Sequence, residues 1–239
     1  MNKYVVLFSV LSLVIAVIFY IGSDNIFLGL GSLITFIIFA FFFYIPKLKR
    51  YHKVVERFHE CYHFINNFII SLSIKKALKP AYENTILSMD ENFRNMLNEL
   101  KNMNEEEILR YINGTYFPFH IYHLFVEIIG IYLEEGGDIL EMSKYLLQEC
   151  RLNEEYLNVT TSYSQKKYFE FGTLWAISLA VLVLLRFTLT QFYGYIKEQL
   201  FFIIGLGALV LFLAFSVYLL IARGTKVDLK GYSEHEKII

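Results

Sequence analysis

Four long stretches of this chain carry almost no charge, and they constrain its fold before any other feature is weighed. Tyr4 to Ile21 contains no charged side chain, and Ile26 to Ile45 is a second uncharged run. Each approaches the roughly 20 apolar residues that a helix needs to cross a hydrocarbon core. Only Gly22-Ser23-Asp24-Asn25 separates the two, which predicts a tight helical hairpin. The first run has no A-x-A-like cleavage site and leads straight into the second, so it reads as a retained span and not a secretory signal. A third run, Phe171 to about Tyr195, holds one charge, Arg186; a fourth, Leu200 to Ala222, holds none, and Lys197-Glu198-Gln199 form the turn between them. Composition agrees: 56% of the 239 residues are hydrophobic, more than an ordinary soluble domain carries.

Arg186 lies towards the far end of its span. Its long stem can reach the headgroups or a polar partner between helices, and snorkelling is the favoured reading. The other cations gather at span ends. Lys47, Lys49, Arg50, Lys53 and Arg57 follow the second run, Lys166 and Lys167 precede the third, and Arg223, Lys226 and Lys230 follow the fourth. The short connecting loops hold only Lys197. The positive-inside rule therefore places both termini and the central segment in the cytoplasm of a multi-pass membrane protein. A formal net charge of −1 argues against a nucleic-acid partner, and the basic residues serve membrane boundaries and lipid headgroups instead. Cys61 and Cys150 fall in the cytoplasmic segment, where no disulfide is expected.

The central segment, residues 46–170, has helical periodicity throughout. Pro46 marks the exit from the membrane. A first helix is predicted from about Tyr51 to Leu78, with Phe58, Cys61, Tyr62, Ile65, Phe68, Ile69 and Leu72 on one face; it stops before Pro80. A second covers Tyr82 to Lys101, turning Ile86, Met89, Phe93, Met96, Leu97 and Leu100 inward. A shorter helix, Asn104 to Ile112, ends near Asn113-Gly114. Pro118 suits the first turn of the next helix, which carries Ile121, Leu124, Phe125, Ile128, Ile129 and Tyr132 to a stop at Gly136-Gly137. Asp138 can cap the helix after that, with Glu141 at its third position; this last helix continues past Lys167 towards the third span. The acidic run Glu105-Glu106-Glu107 suits a helix start and a solvated face. The fold class is therefore all-α: four transmembrane helices in two hairpins, 1–45 and 171–222, flanking a cytoplasmic helical bundle, 46–170, with a cytoplasmic tail at 223–239.

Inside the first bundle helix, Phe58 to Phe64 reads FHECYHF and contains a literal H-E-x-x-H. His59 and His63, four apart, face the same way and could hold zinc while Glu60 polarises its water, with Glu134 or Glu135 as the third ligand. That is the alternative reading, a membrane zinc metallopeptidase using His59, His63 and Glu135. Charged Glu56 and Arg57 lie just upstream, however, and the third ligand would sit beside a Gly-Gly terminator. Histidines at the edge of an apolar stripe fit better, and the same holds for His120 and His123. No Gly-rich phosphate loop is present, and no cofactor or catalytic residue is expected.

The segment Tyr132-Leu133-Glu134-Glu135-Gly136-Gly137-Asp138-Ile139-Leu140-Glu141 resembles the type II secretion system F family, and most of all its single-repeat Tad pilus members. There a helix ends in an acidic residue plus Gly-Gly and a leucine-bearing helix follows, which makes Glu135, Gly136, Gly137 and Asp138 the structural motif. Arg151, the spacing of Gln165 to Lys167 ahead of the third span, and Ile70-Ser71-Leu72-Ser73-Ile74-Lys75-Lys76-Ala77-Leu78 are similar to the family as well. The resemblance implies a non-enzymatic inner-membrane platform that couples a cytoplasmic secretion ATPase to the movement of pilins or pseudopilins. Because the chain has a single cytoplasmic repeat, the resemblance also implies pairing with a second copy or a sister platform protein.

Overall fold

The computed structural model describes residues 3–98 and 103–225. Among them every regular element is helical: α1 Lys3–Ser23, α2 Ile26–Phe39, a π-helical turn Ala40–Tyr44, α3 Ile45–Lys75, α4 Leu78–Leu87, α5 Glu91–Asn98, α6 Glu105–Thr115, α7 His120–Glu135, α8 Ile139–Thr188, α9 Thr190–Ile196 and α10 Leu200–Gly224. Four of these stretches are long and apolar enough to cross a membrane: Tyr4–Ser23, Ile26–Lys75, Ile139–Thr188 and Leu200–Gly224. Leu100, Lys101, Lys226, Lys230 and most of the 223–239 segment lie outside the described residues.

The described residues form two compact units. The first takes in residues 3–51 and 160–225. Here α1 packs along α2, and α2 and the π turn pack on α10. The core holds Ile15, Phe19, Phe36, Leu179, Leu206, Val210, Leu213 and Ala214. Gly29 lies where α1 and α2 touch closely: a Cβ there would stand 3.0 Å from Tyr20 Cβ and 3.3 Å from the Ala16 carbonyl oxygen, so the neighbours would have to give by a few tenths of an ångström. Small residues permit that approach between apolar helices. Tyr44 donates a hydrogen bond to the Ala214 carbonyl at 2.7 Å, tying the end of the π turn to α10.

Pro46 does not end a helix. It has no N–H to give to the turn before it, and the chain widens into the π turn Ala40–Tyr44, where Ile45 N–H reaches back to the Ala40 carbonyl, and then runs on as α3.

The second unit is His52–Val159. Its core is aromatic: Phe58, Phe64, Phe68, Phe93, Phe117, Tyr122 and Phe125 are all buried, and Phe64 makes ring contacts with Phe68, Phe93, Phe117, Tyr122 and Phe125. The predicted inward face of α3 is buried except for Tyr62, which is half-exposed, and Phe64 joins it. The predicted second helix breaks in two. Ser88 turns its hydroxyl onto the Thr85 carbonyl, and Arg94 donates to the Leu87 and Met89 carbonyls, so side chains satisfy the backbone across the break. Asn104 caps α6 in a capping box with Glu107, and the helix passes through Asn113-Gly114 to Thr115. Pro118 stands before α7, one residue ahead of its N-cap Phe119.

Candidate functional site

The motif that catches the eye in the sequence lies on α3. His63 is exposed, and His59 is half-buried with Nδ1 3.6 Å from Glu154 Oε1 on α8. Glu60 accepts a hydrogen bond from the Tyr116 hydroxyl at 2.8 Å, and the Arg57 guanidinium lies over the Tyr116 ring, 5.0 Å from its centre. Burial pushes the Glu60 carboxyl above the ordinary carboxylate range, and Glu56 and Asp90 add to this while the Tyr116 bond opposes it. Glu60 thus has a structural partner, and the Tyr116 hydroxyl is pushed up by burial and by Glu60 in turn. His123 bonds Asn113 through Nδ1 at 3.1 Å and faces Glu127 through Nε2 at 3.2 Å, and His120 is exposed at the start of α7. His59, His63 and Glu135 are not gathered: among the described residues no group of three or more His, Cys, Asp or Glu side chains stands ready to hold a metal ion. Cys61 and Cys150 are free and buried, and burial pushes the Cys150 thiol up to about 12.

The Glu135-Gly136-Gly137-Asp138 motif forms the corner between α7 and α8. Gly136 (φ 70°, ψ −160°) and Gly137 (φ 115°) occupy backbone regions that side chains avoid. Gly136 N–H returns to the Tyr132 carbonyl at 3.0 Å and closes α7. Asp138 then starts α8 by accepting the Leu140 N–H at 2.9 Å. Glu134 and Glu135 are exposed at this corner. From it α8 runs for 50 residues without a break.

No protein-family model, curated protein or solved structure matches this chain. The site is therefore read from its own geometry.

One polar constellation is not evident from the sequence alone. In the first unit, Asp24 sits between α1 and α2 with φ 52°, and its carboxylate receives Arg186 Nη2 at 2.7 Å and Lys197 Nζ at 3.1 Å. Arg186 Nη1 also donates to the Ile21 carbonyl, and the Tyr193 hydroxyl donates to the Gly22 carbonyl. The hydrogen-bonded Lys197 ammonium, and then the Arg186 guanidinium, hold the Asp24 carboxyl below the ordinary range. Arg186 thus has a protein partner in Asp24, one of the two kinds of contact its position in the sequence allows. The available signal was its status as the one charge in its run, set against Asp24 as the one acid in the first loop. Chemically the constellation binds helix ends to one another.

Proposed function

We propose that this chain is an inner-membrane platform of a Tad or type II secretion-like pilus assembly system. In this reading the four apolar helices cross the cell membrane as two hairpins, and both termini and the bundle of residues 46–170 lie in the cytoplasm. The bundle docks on a cytoplasmic secretion ATPase, the spans handle pilins or pseudopilins, and a second copy or sister protein completes the platform. The chain contributes no catalytic residue and needs no cofactor.

The observation that carries this reading is the unbroken helix Ile139–Thr188, launched from a Gly-Gly corner and capped by Asp138. Its first half is polar enough for water and its second half is one of the candidate spans. A continuous helix resists bending because each turn is bonded to the next. Displacement imposed on its cytoplasmic half is felt in the bilayer.

Deletion of the gene, with complementation, tests the proposal. Pilus assembly is lost while hydrolysis by the secretion ATPase persists; normal piliation without the protein would sink the idea. His59→Ala and Glu60→Ala leave assembly largely intact and metal analysis of the purified protein finds no stoichiometric zinc, whereas a peptidase would lose both proteolysis and its metal.

A further inference from the structure

Lys47 is the first cation after the second apolar run. A lysine at such a place commonly extends its stem so that the ammonium reaches the headgroups. This one is held against α10 instead. Its Nζ lies over the Tyr218 ring, 4.4 Å from the centre, and donates to the Tyr218 hydroxyl at 3.2 Å. Tyr218 belongs to the fourth apolar run and precedes Arg223, the first cation beyond that run, by five residues. Helical rise puts it about 7.5 Å deeper along α10 than Arg223.

Lys47 is half-buried, and among the described residues no Asp or Glu pairs with it. One of the three ammonium donors goes to Tyr218, which accepts it and keeps its own O–H to give. A cation at the edge of hydrocarbon without a counter-charge is costly. The anions that a membrane offers at this depth are the phosphates of its lipids. Two apolar rings stand beside the pair: Phe43 and Phe215, 5.5 Å and 6.1 Å from the Tyr218 ring between centres, are 43% and 51% exposed. Phe43 precedes Lys47 by four residues and Phe215 precedes Tyr218 by three, so each lies one helical turn deeper in its run. Ammonium and hydroxyl, then exposed rings, follow the order in which a phospholipid presents its phosphate and its chains.

We propose that Lys47 and Tyr218 seat the phosphate of an anionic phospholipid, with its acyl chains against Phe43 and Phe215. The ammonium supplies the charge and its two remaining donors, and the Tyr218 hydroxyl supplies a third. Charge-assisted bonds of this kind are about twice as strong as neutral ones. A zwitterionic lipid brings its own cation to the same place, so the seat prefers a headgroup of net negative charge. Lys49 and Arg50 in the same basic run are exposed and act as the diffuse positive charge of a membrane boundary. Lys47 differs from them in having a fixed position on α10. The seat rests on the proposed crossing of the membrane by the apolar helices, and on neither the ATPase nor the pilins of that reading.

Spin-labelled lipids test it on the full chain reconstituted into phosphatidylcholine vesicles. Phosphatidylglycerol with a label on its acyl chain is immobilised by the protein several-fold more than phosphatidylcholine with the same label. Lys47→Gln removes most of that preference, Lys47→Arg retains it, and Tyr218→Phe, which keeps the ring, lowers it in part. Lys49→Gln, exposed and two residues away, leaves it unchanged. An equal loss from Lys47→Gln and Lys49→Gln would show diffuse charge only, and displacement of the label by excess inorganic phosphate would show a free-anion site; either would overturn the proposal. Equal immobilisation of both lipids overturns the seat alone, whereas a chain that immobilises neither contradicts the membrane-crossing reading as well.

Discussion

The two units of this molecule bury similar side chains for different reasons. Phe64 in the second unit and Phe19 in the first are both fully buried. Around Phe64 the core is a continuous aromatic cluster, with Glu60, Tyr116 and the histidines at its margin. Around Phe19 the unit turns large apolar side chains outward, among them Phe27 and Phe201 at 80% and 85% exposure. In water that surface would aggregate; in lipid it is the expected exterior. Transfer from water drives the second unit together. If the first unit lies in lipid, as proposed, that drive is absent there, and close packing at Gly29 and the charged ties at Asp24 carry its specificity.

This contrast is open to a direct break. Phe64→Ala costs about 3–5 kcal/mol, the loss of transfer energy plus a cavity. Phe19→Ala loses packing but little transfer energy and costs clearly less. Denaturant unfolding of the two variants in micelles, followed by near-ultraviolet circular dichroism, compares them; equal costs would contradict the assignment of solvents.

Gly136→Ala comes next, at about 1–3 kcal/mol, because its backbone conformation is open essentially to glycine alone. The same measurement checks it, and the loss falls on the second unit. Insensitivity of that unit would mean that the α7–α8 corner does not hold it together.

A smaller effect sharpens the role of charge in the first unit. The folded Asp24 carboxyl titrates below its ordinary value near 3.8. Its ties are therefore fully present above that value and are lost as pH falls through the lower folded value. Spin labels at Phe27→Cys and Phe187→Cys, both exposed sites, show a narrow distance distribution at neutral pH that broadens in strong acid. Arg186→Ala broadens it at both.

The smallest effect belongs to Glu60. Its carboxyl is raised by burial, so the charged form lowers stability as pH rises through the folded value. Glu60→Gln keeps an acceptor for Tyr116 and removes that penalty, leaving stability unchanged or up by less than about 1 kcal/mol. A clear loss in thermal melting would contradict this account of the cluster.

Much of this was legible in the sequence because helical periodicity and uncharged length are strong local signals. The four apolar runs, the Gly136-Gly137 stop, the Asp138 start and the long continuation past Lys167 all rest on residues adjacent in the chain, whereas the break after Thr188, inside the run read as reaching Tyr195, does not. What escaped depended on distant partners. Pro46 marks a boundary by its local chemistry, yet the π turn before it lets the helix continue. The break after Leu87 is held by Arg94 and Ser88, whose targets no periodicity reveals. Arg186 reads as a cation able to reach headgroups or a polar partner, and only the fold brings Asp24, far away in sequence, beside it. Phe64 and Tyr122 fall outside the narrow stripe that spacing picks out, because neighbours surround their helices on more than one side.

Orientation tests the proposed function most directly, since that proposal puts one unit in lipid and the other in the cytoplasm. Glu155→Cys and Glu198→Cys place thiols at exposed positions in the second unit and at the turn before α10. A membrane-impermeant maleimide applied to intact cells with an accessible inner membrane labels Glu198→Cys at once and Glu155→Cys only after permeabilisation. Labelling of Glu155→Cys in intact cells, or protection of Glu198→Cys, would contradict the account.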